Sequence, residues 1–182
     1  DNVTLAETCG LHNLVSVLSI DNVKMVEGCG LYGLTSVKSI ENVRMVEGCE
    51  VDGLTSVKRL DYVTLAEGCM LFDLTSVKSL DNVKLAEGCG LRGLSSVGQV
   101  SNCFLGTDCV LVGVSDGVEI NDSIIKNGFK VWSGWEVDTV LGAVANCNLG
   151  DGLILKGCDN LKAEDLKTCT FGDGVILDGY LG

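Results

Sequence analysis

Hydrophobic residues recur along the chain at fixed positions of a 20-residue unit, and this repetition is the dominant feature of the sequence. Residues 21–31 return almost unchanged as residues 81–91, and residues 34–40 return as residues 74–80. The alignment gives nine units, which begin at residues 1, 21, 41, 61, 81, 101, 123, 145 and 167. Residues 1–100 hold five regular 20-residue units, and residues 101–182 hold less regular 22-residue units. We call each position within the unit a column.

The columns alternate between apolar and polar residues in a way that predicts strands. Columns 3 and 5 are apolar between polar or small neighbours, and columns 9 and 11 repeat this alternation after a Glu-Gly turn. Such a period of two is typical of half-buried β-strands. Columns 11, 14, 17 and 20 are apolar at every third position, which predicts a tight turn or a bent wall.

The short repeat length decides the fold class. Twenty residues are too few for a repeating helix pair, and a single coil buries its apolar side only when other coils stack on it. We therefore predict an all-β, parallel β-solenoid of about nine coils that runs as one body through residues 1–182. We expect a right-handed coil. The alternative, a left-handed hexapeptide helix, normally has 18 residues per turn, which periods of 20 and 22 do not supply.

Two segments resemble known repeat families. The run Ile20-x-x-Val23-x-Met25, followed by Cys29-x-Leu31-x-x-Leu34, resembles the leucine-rich repeat, although one extra residue precedes the cysteine. This resemblance covers about residues 1–113 and implies a leucine-rich-repeat-like N-terminal half. The later run Asn146-Cys-x-Leu-Gly-Asp-Gly152 is similar to a parallel β-helix.

Every cysteine falls at a column that is predicted to be buried. The main cysteine column is column 9, with Cys9, Cys29, Cys49, Cys69, Cys89 and Cys109. We interpret these residues as small core side chains with inert thiols. Disulfides between coils and a metal site are the alternatives, but the chain has no Cys-x-x-Cys pair, so the zinc spacing is absent.

Charge and composition exclude several partners. The formal net charge is −12, which argues against nucleic acid or an anionic membrane, since binding to phosphate needs clustered lysine and arginine. No apolar run approaches the roughly 20 residues of a membrane span. Acidic residues stack in columns 1 and 7. We expect no cofactor there, and the alternative is a Ca²⁺-lined edge, in which calcium ions bind along these acidic columns.

Columns 10 and 12 flank a buried column, so their side chains should point outward. They vary most among the coils and carry aromatic and charged groups of the kind that protein interfaces use. We predict a lateral binding face there, for another protein or a glycan, and surface drift is the alternative. Its candidate residues are His12, Tyr32, Asp52, Phe72, Arg92 and Trp132, followed by Trp135 in a segment that breaks the columns.

No catalytic motif is recognisable, so the sequence predicts a protein that is not an enzyme. The nearest groups to a carbohydrate-active site are Lys126 and Lys130 with Asp122 and Glu136. Thr35, Thr55 and Thr75 form a short hydroxyl array that resembles those of ice-binding proteins.

The predicted function follows from the ends of the solenoid. Neither end shows a polar cap or a covering amphipathic helix in the sequence, and exposed terminal strands pair readily with another chain. A head-to-tail contact that does not close produces a filament. We therefore expect a structural solenoid whose partner is itself through the terminal coils, in a filament or surface fibre outside the cell. A protein- or glycan-recognition module and an ice-binding protein are the alternatives.

Overall fold

The chain forms a parallel β-solenoid of stacked coils. The computed structural model describes residues 3–134 and 138–182, and in these ranges the strands form sheets A, B, C and D. With strands numbered in chain order, sheet A consists of β1 (Val3–Leu5), β4 (Val23–Met25), β7 (Arg44–Met45), β10 (Thr64–Leu65), β13 (Lys84–Leu85), β16 (Phe104–Leu105), β19 (Ile124–Ile125), β22 (Asn148–Leu149) and β24 (Thr170–Phe171).

The other sheets form the remaining faces of the coil. Sheet B consists of β2 (Gly10–Leu11), β5 (Gly30–Leu31), β8 (Glu50–Val51), β11 (Met70–Leu71), β14 (Gly90–Arg92), β17 (Val110–Val112) and β20 (Lys130–Trp132). Sheet C consists of β3 (Ser19–Asp21), β6 (Ser39–Glu41), β9 (Arg59–Asp61), β12 (Ser79–Asp81), β15 (Gln99–Ser101), β18 (Val118–Asn121) and β21 (Leu141–Ala145). Sheet D pairs β23 (Ile154–Leu155) with β25 (Ile176–Leu177).

Strand pairing confirms the solenoid and its 20-residue period in the first six coils. Each strand pairs in parallel with the equivalent strand of the next coil, as Met45 pairs with Leu65 and Leu65 with Leu85. The predicted apolar columns lie in the interior, where Leu85, Leu91, Leu94 and Val100 are fully buried. Every coil adds the same inner lining, so one continuous core runs along the axis.

Three corners per coil have left-handed backbone, and the sequence marks each of them. Column 2 takes this conformation in seven described coils, mostly with asparagine, whose short polar side chain tolerates it better than other non-glycine residues. Columns 8 and 13 take it mostly with glycine, as at Gly28 and Gly33. These corners separate the three walls of the coil, which correspond to sheets A, B and C.

The third wall differs in part from the prediction. Columns 14 to 17 form the expected tight turn, in which the Val37 N–H donates to the Leu34 carbonyl at 3.1 Å. The residues that follow are a strand, such as Ser39–Glu41, and not a continuation of that turn. In coils one to five only the residue in column 20 faces inward there, and a single apolar position between polar ones gave too short an alternation to be recognised.

The predicted register is wrong by two residues in the seventh coil. Leu105 pairs with Ile125, so this coil begins at residue 121 and not at 123. Ile125 then pairs with Leu149, and Leu149 with Phe171. The coil is therefore 24 residues long, and the 22-residue period applies only between the last two coils. Ser123 and Phe129 consequently occupy the buried columns 3 and 9 of this coil.

An insertion and a short helix interrupt the stacking near the C-terminal end. Asp138 makes an antiparallel bridge with Trp132, and β23 pairs with β25 instead of β20. Helix α1 (Ala163–Leu166) packs against β21, so the expectation that no helix covers either end is wrong for sheet C, whereas β24 and β25 follow the helix as the last strands of sheets A and D. In the part of the chain that the structure describes, no helix is long and apolar enough to span a membrane.

Candidate functional site

The column-12 side chains lie in register on the outer surface of sheet B. We call this set the outward column, and it consists of His12, Tyr32, Asp52, Phe72, Arg92, Val112 and Trp132. The register is direct for Arg92, Val112 and Trp132, which pair across β14, β17 and β20. His12 is exposed and the others are half-buried. Trp135, the remaining predicted member of the face, lies outside the described residues.

The first part of the outward column is aromatic and acidic. The His12 and Tyr32 rings stack with centroids 4.7 Å apart and planes 10° from parallel. The Tyr32 ring lies over Gly30, where a Cβ atom would stand 2.4 Å from the ring. The Tyr32 hydroxyl donates to Glu50 at 3.5 Å, and burial together with the Glu50 charge raises the pKa of Tyr32.

Two carboxylates extend this acidic part into the next coil. Asp52 accepts a hydrogen bond from the Gly53 N–H at 2.7 Å, which fixes its side chain against the corner. Burial, followed by the nearby charge of Asp52, raises the pKa of Asp73. The face therefore presents negative charge beside the stacked rings of His12 and Tyr32.

The second part of the outward column is apolar and cationic. The Arg92 guanidinium lies 5.8 Å from the centre of the Phe72 ring, and the Lys130 ammonium lies 5.5 Å from the Trp132 ring. The Met70 sulfur fills the space above Gly90, where a Cβ atom would approach it to 2.5 Å. Flat rings beside cations suit contacts with apolar and planar groups.

The thiol column, Cys9 to Cys109 in column 9, has a repeated structural contact. Each buried thiol donates to the column-6 carbonyl of the preceding coil: Cys49 to Val26 at 2.9 Å, and Cys89 to Ala66 at 2.9 Å. Cys29, Cys69 and Cys109 make the equivalent contacts to Ala6, Val46 and Ala86. These carbonyls lie at a turn, and the cysteine thiols donate hydrogen bonds to them. A purely apolar side chain in column 9 would leave the same oxygens with fewer hydrogen-bond partners.

Burial protects most of the thiols in the folded chain. All ten cysteines are free, and only Cys9 and Cys169 are more than slightly exposed. Burial raises the pKa of Cys69 and of Cys147 to about 12, and that of Cys103 to about 11. A thiol with such a pKa carries almost no thiolate at neutral pH and is a poor nucleophile and metal ligand.

The acidic columns are hydrogen-bonded at one corner and solvated at the other. Asp81 accepts hydrogen bonds from the side-chain amides of Asn82 and Asn102, at 3.0 and 2.8 Å. The column-7 glutamates Glu27 and Glu47 are exposed. Among residues 3–134 and 138–182, no group of three or more histidine, cysteine or acidic side chains is arranged to hold a metal ion. The Ca²⁺-lined edge stays a prediction.

The hydroxyl array is partly engaged within the fold. Ser76 and Ser96 donate to the carbonyls of Thr55 and Thr75 in the preceding coil, at 2.6 and 2.7 Å. The threonines Thr35, Thr55 and Thr75 remain exposed. Ice binding stays a prediction that none of these contacts favours.

The four residues nearest to a carbohydrate-active site are spread along coil seven. Asp122 occupies a left-handed corner, Lys126 follows β19, and Lys130 begins β20. Glu136 lies outside the described residues. The described positions give no acid–base pair.

The first coil has an apolar surface that the sequence reasoning missed. Val15 and Leu18 are 56% and 63% exposed, although the same columns hold threonine and lysine in the next three coils. We call these two residues the coil-one corner. Beside it, Val3, Leu11, Leu14 and Val17 line a hollow of about 250 Å³ where the core opens to solvent. The sequence signal for this surface is that Val15 and Leu18 are apolar in columns that are polar in the next three coils.

The opposite end is also apolar. Phe171, Ile176 and Leu181 are exposed around the last strands of sheets A and D. The first and last coils therefore both present apolar side chains and strand edges.

Comparison with protein-family models, curated proteins and solved structures finds no match to this chain. The leucine-rich-repeat resemblance is therefore not confirmed. The parallel β-solenoid of stacked coils rests on the strand pairing itself.

Proposed function

We propose that the protein is a non-enzymatic structural solenoid that associates end to end, with the first coil of one copy against the last coil of the next. The observation that carries this proposal is the open end of the core, where Val3 and Leu11 are 43% and 37% exposed although the equivalent Val63 and Leu71 of coil four are buried; the coil-one corner adds apolar surface beside it. Val15 and Leu18 place apolar side chains in solvent where coils two to four have threonine and lysine. Apolar surface of this kind is typical of a contact region, because burying it in an interface removes it from water.

The strand edges support the same contact. In the described residues, β1 and β2 each have one neighbouring strand, as do β24 and β25 at the other end. Sheet D continues the columns of sheet B, so two parallel ladders, β24 with β1 and β25 with β2, can run from copy to copy. Helix α1 lies where sheet C would continue, so the third ladder stops at each junction. A repeated contact of this head-to-tail type builds a filament.

The test replaces the coil-one corner by the residues of the other coils. The wild-type chain should form concentration-dependent species in analytical ultracentrifugation, with rods in negative-stain micrographs. The double variant Val15→Thr, Leu18→Lys should shift this equilibrium strongly toward monomer. Each position tolerates the new residue in neighbouring coils, so circular dichroism should show an unchanged fold. Added salt should strengthen association of the wild type, because copies of net charge −12 repel one another.

A matched control moves the apolar pair from coil one to coil four. Adding Thr75→Val and Lys78→Leu to the double variant restores the apolar content on coil four and should leave the chain monomeric. A wild-type chain that is monomeric throughout the micromolar range contradicts the proposal, as does recovery of association by the relocated patch.

A second candidate function is recognition through the outward column. It is favoured by the flat, in-register arrangement of the rings of Tyr32, Phe72 and Trp132 beside acidic and cationic groups. Aromatic faces of this kind contact the apolar face of a sugar or the side chains of another protein. The variant Tyr32→Ala, Phe72→Ala, Trp132→Ala should fold and lose binding to a defined panel of oligosaccharides. Tyr62→Ala, which removes an exposed ring from a different column, is the control. Equal binding by both variants, or none by the wild type, contradicts recognition of glycans.

A further inference from the structure

The stacking of sheet B opens between β20 and β23, and a cleft lies at this break. Coil seven has 24 residues, and β23 joins β25 in sheet D rather than continuing the ladder from β20. The Thr139 N–H donates to the Val131 carbonyl at 3.1 Å and holds the inserted segment against one end of β20. The space between the two strands measures about 500 Å³, which is within the range of small-molecule sites.

The inner surface of this cleft is apolar. Phe129, Val131 and Leu155 are buried in its floor, and Ile154 forms a wall that is 50% exposed. Phe129 occupies column 9, where coils one to six carry cysteine, so the floor is broader and more aromatic than the lining elsewhere. Such a surface suits the hydrocarbon or aromatic body of a ligand.

The described residues that line the cleft carry a net charge opposite in sign to that of the whole chain. Two lysines, Lys130 and Lys156, and one carboxylate, Asp138, line it among the described residues, whereas the chain carries a net charge of −12. Lys156 lies 3.3 Å from Asp138, and both side chains are more than one third exposed. An ion pair of this exposure contributes little to stability, so Lys156 can exchange Asp138 for the anion of a ligand at small cost.

We propose that this cleft binds a small monoanion with an apolar or aromatic body, such as an aryl carboxylate. Lys156 pairs with the carboxylate, the Trp132 ring with Lys130 above it forms the mouth, and the half-exposed Ile154 contacts the apolar body above the buried Phe129 and Leu155. Large polyanions are disfavoured by the overall negative charge, which leaves small ligands as the class that fits. The proposal goes beyond the end-to-end function and does not depend on it.

The experiment compares phenylbutyrate with its neutral amide, phenylbutyramide, by isothermal titration calorimetry on the full chain. The carboxylate should bind at one saturable site, and the amide should bind about fivefold more weakly, since an ion pair to a lysine this exposed contributes up to about 1 kcal/mol. Lys156→Met, which keeps the apolar stem, should weaken binding of the carboxylate about fivefold and leave binding of the amide unchanged. Asp138→Asn removes the competing carboxylate and should tighten phenylbutyrate binding.

The matched control is Lys58→Met, which removes an exposed lysine from coil three and should leave binding unchanged. Equal affinities for the acid and the amide would overturn the proposal. So would the absence of saturable binding at millimolar phenylbutyrate, or equal losses in Lys156→Met and Lys58→Met. Circular dichroism of each variant separates loss of binding from loss of fold.

Discussion

Tyr62 occupies a left-handed corner at which the neighbouring coils carry asparagine. Its φ angle is 54°, close to the 55° of Asn42 and the 53° of Asn82. Residues other than glycine, asparagine and aspartate lose about 1–2 kcal/mol in this conformation. Because the Tyr62 side chain is 62% exposed, little buried contact offsets that cost.

We expect Tyr62→Asn to stabilise the protein by about 1 kcal/mol, which corresponds to a rise in Tm of about 2–4 °C for a chain of this size. Differential scanning calorimetry measures it. The reciprocal change Asn82→Tyr, which also removes the hydrogen bond to Asp81, should lower Tm. An unchanged or lower Tm for Tyr62→Asn would show that backbone strain at this corner is negligible.

The buried thiols link stability to alkaline pH. Folding raises the pKa of Cys69 to about 12, from an ordinary value of 9.0. Below pH 9 the Cys69 thiol is neutral in both the folded and the unfolded chain, so its contribution to the unfolding free energy is fully present. Above pH 9 the unfolded chain releases the proton and the folded chain keeps it, so stability falls by roughly 1.4 kcal/mol per pH unit for each such thiol until the folded pKa is reached.

Urea denaturation just below pH 9 and near pH 11 should therefore show a steep loss of unfolding free energy. Cys69→Ser keeps a hydroxyl donor toward the Val46 carbonyl and removes one titrating thiol. Relative to the wild type, the unfolding free energy of Cys69→Ser should therefore rise by roughly 1.4 kcal/mol per pH unit over that interval. A difference that does not change with pH would mean that the Cys69 thiol ionises equally in both states.

At the scale of residues, the columns were sufficient to predict which side chains form the core in coils two to six. Cys29, Leu34 and Val37 were placed correctly because every coil offers the same environment at a given column. The column alignment is wrong at Phe129, where a large ring replaces cysteine. Matching apolar residues placed Val131 in column 9 instead. The polar residue Ser123, buried in column 3, gave no hydrophobic signal to correct this shift.

At the scale of elements, the strands of sheets A and B were predictable and those of sheet C were not. Columns 3 and 5, and columns 9 and 11, give two apolar positions each, whereas the sheet C strands of coils one to five bury a single residue such as Ile40. The segment around Trp132 and Trp135 breaks the columns and so indicated an irregularity, but the cleft itself depends on where the insertion after Ser133 displaces β23, which no column predicts. The outward column was predictable, because column 12 adjoins the buried column 11 in every coil.

Helix α1 is the element that ends sheet C, and Thr168 attaches it to the eighth coil. The Thr168 hydroxyl donates to the Asp165 carbonyl at 2.6 Å and accepts the Asn146 N–H at 2.7 Å. We expect Thr168→Val to lose about 1–2 kcal/mol, since both partners then lack this bond. The Asn146 amide should exchange faster with deuterium, whereas Thr168→Ser should behave as the wild type. Equal exchange in all three proteins would show that α1 packs without this contact.

At the scale of the whole molecule, a solenoid contacts mainly its own neighbouring coils, so stability varies along its axis. Coils four and five are covered on both sides, and their core residues Leu74 and Leu94 are fully buried. The first coil is covered on one side, and its Val3 and Leu11 are 43% and 37% exposed. In such quasi-one-dimensional proteins each repeat is stabilised by its interfaces, so a coil with one interface opens more readily.

Hydrogen exchange measured along the axis should therefore show slow amides in β13, β14 and β15 and fast amides in β1, β2 and β3. End-to-end association adds the missing interface to the first coil, so the protection of β1 and β2 should rise with protein concentration while that of β14 stays constant. In Val15→Thr, Leu18→Lys the first coil should stay unprotected at every concentration. Uniform protection from β1 to β15 in dilute solution would mean that the first coil is stable without a neighbour. End-to-end contact would then add no stability to that coil, which contradicts the proposal.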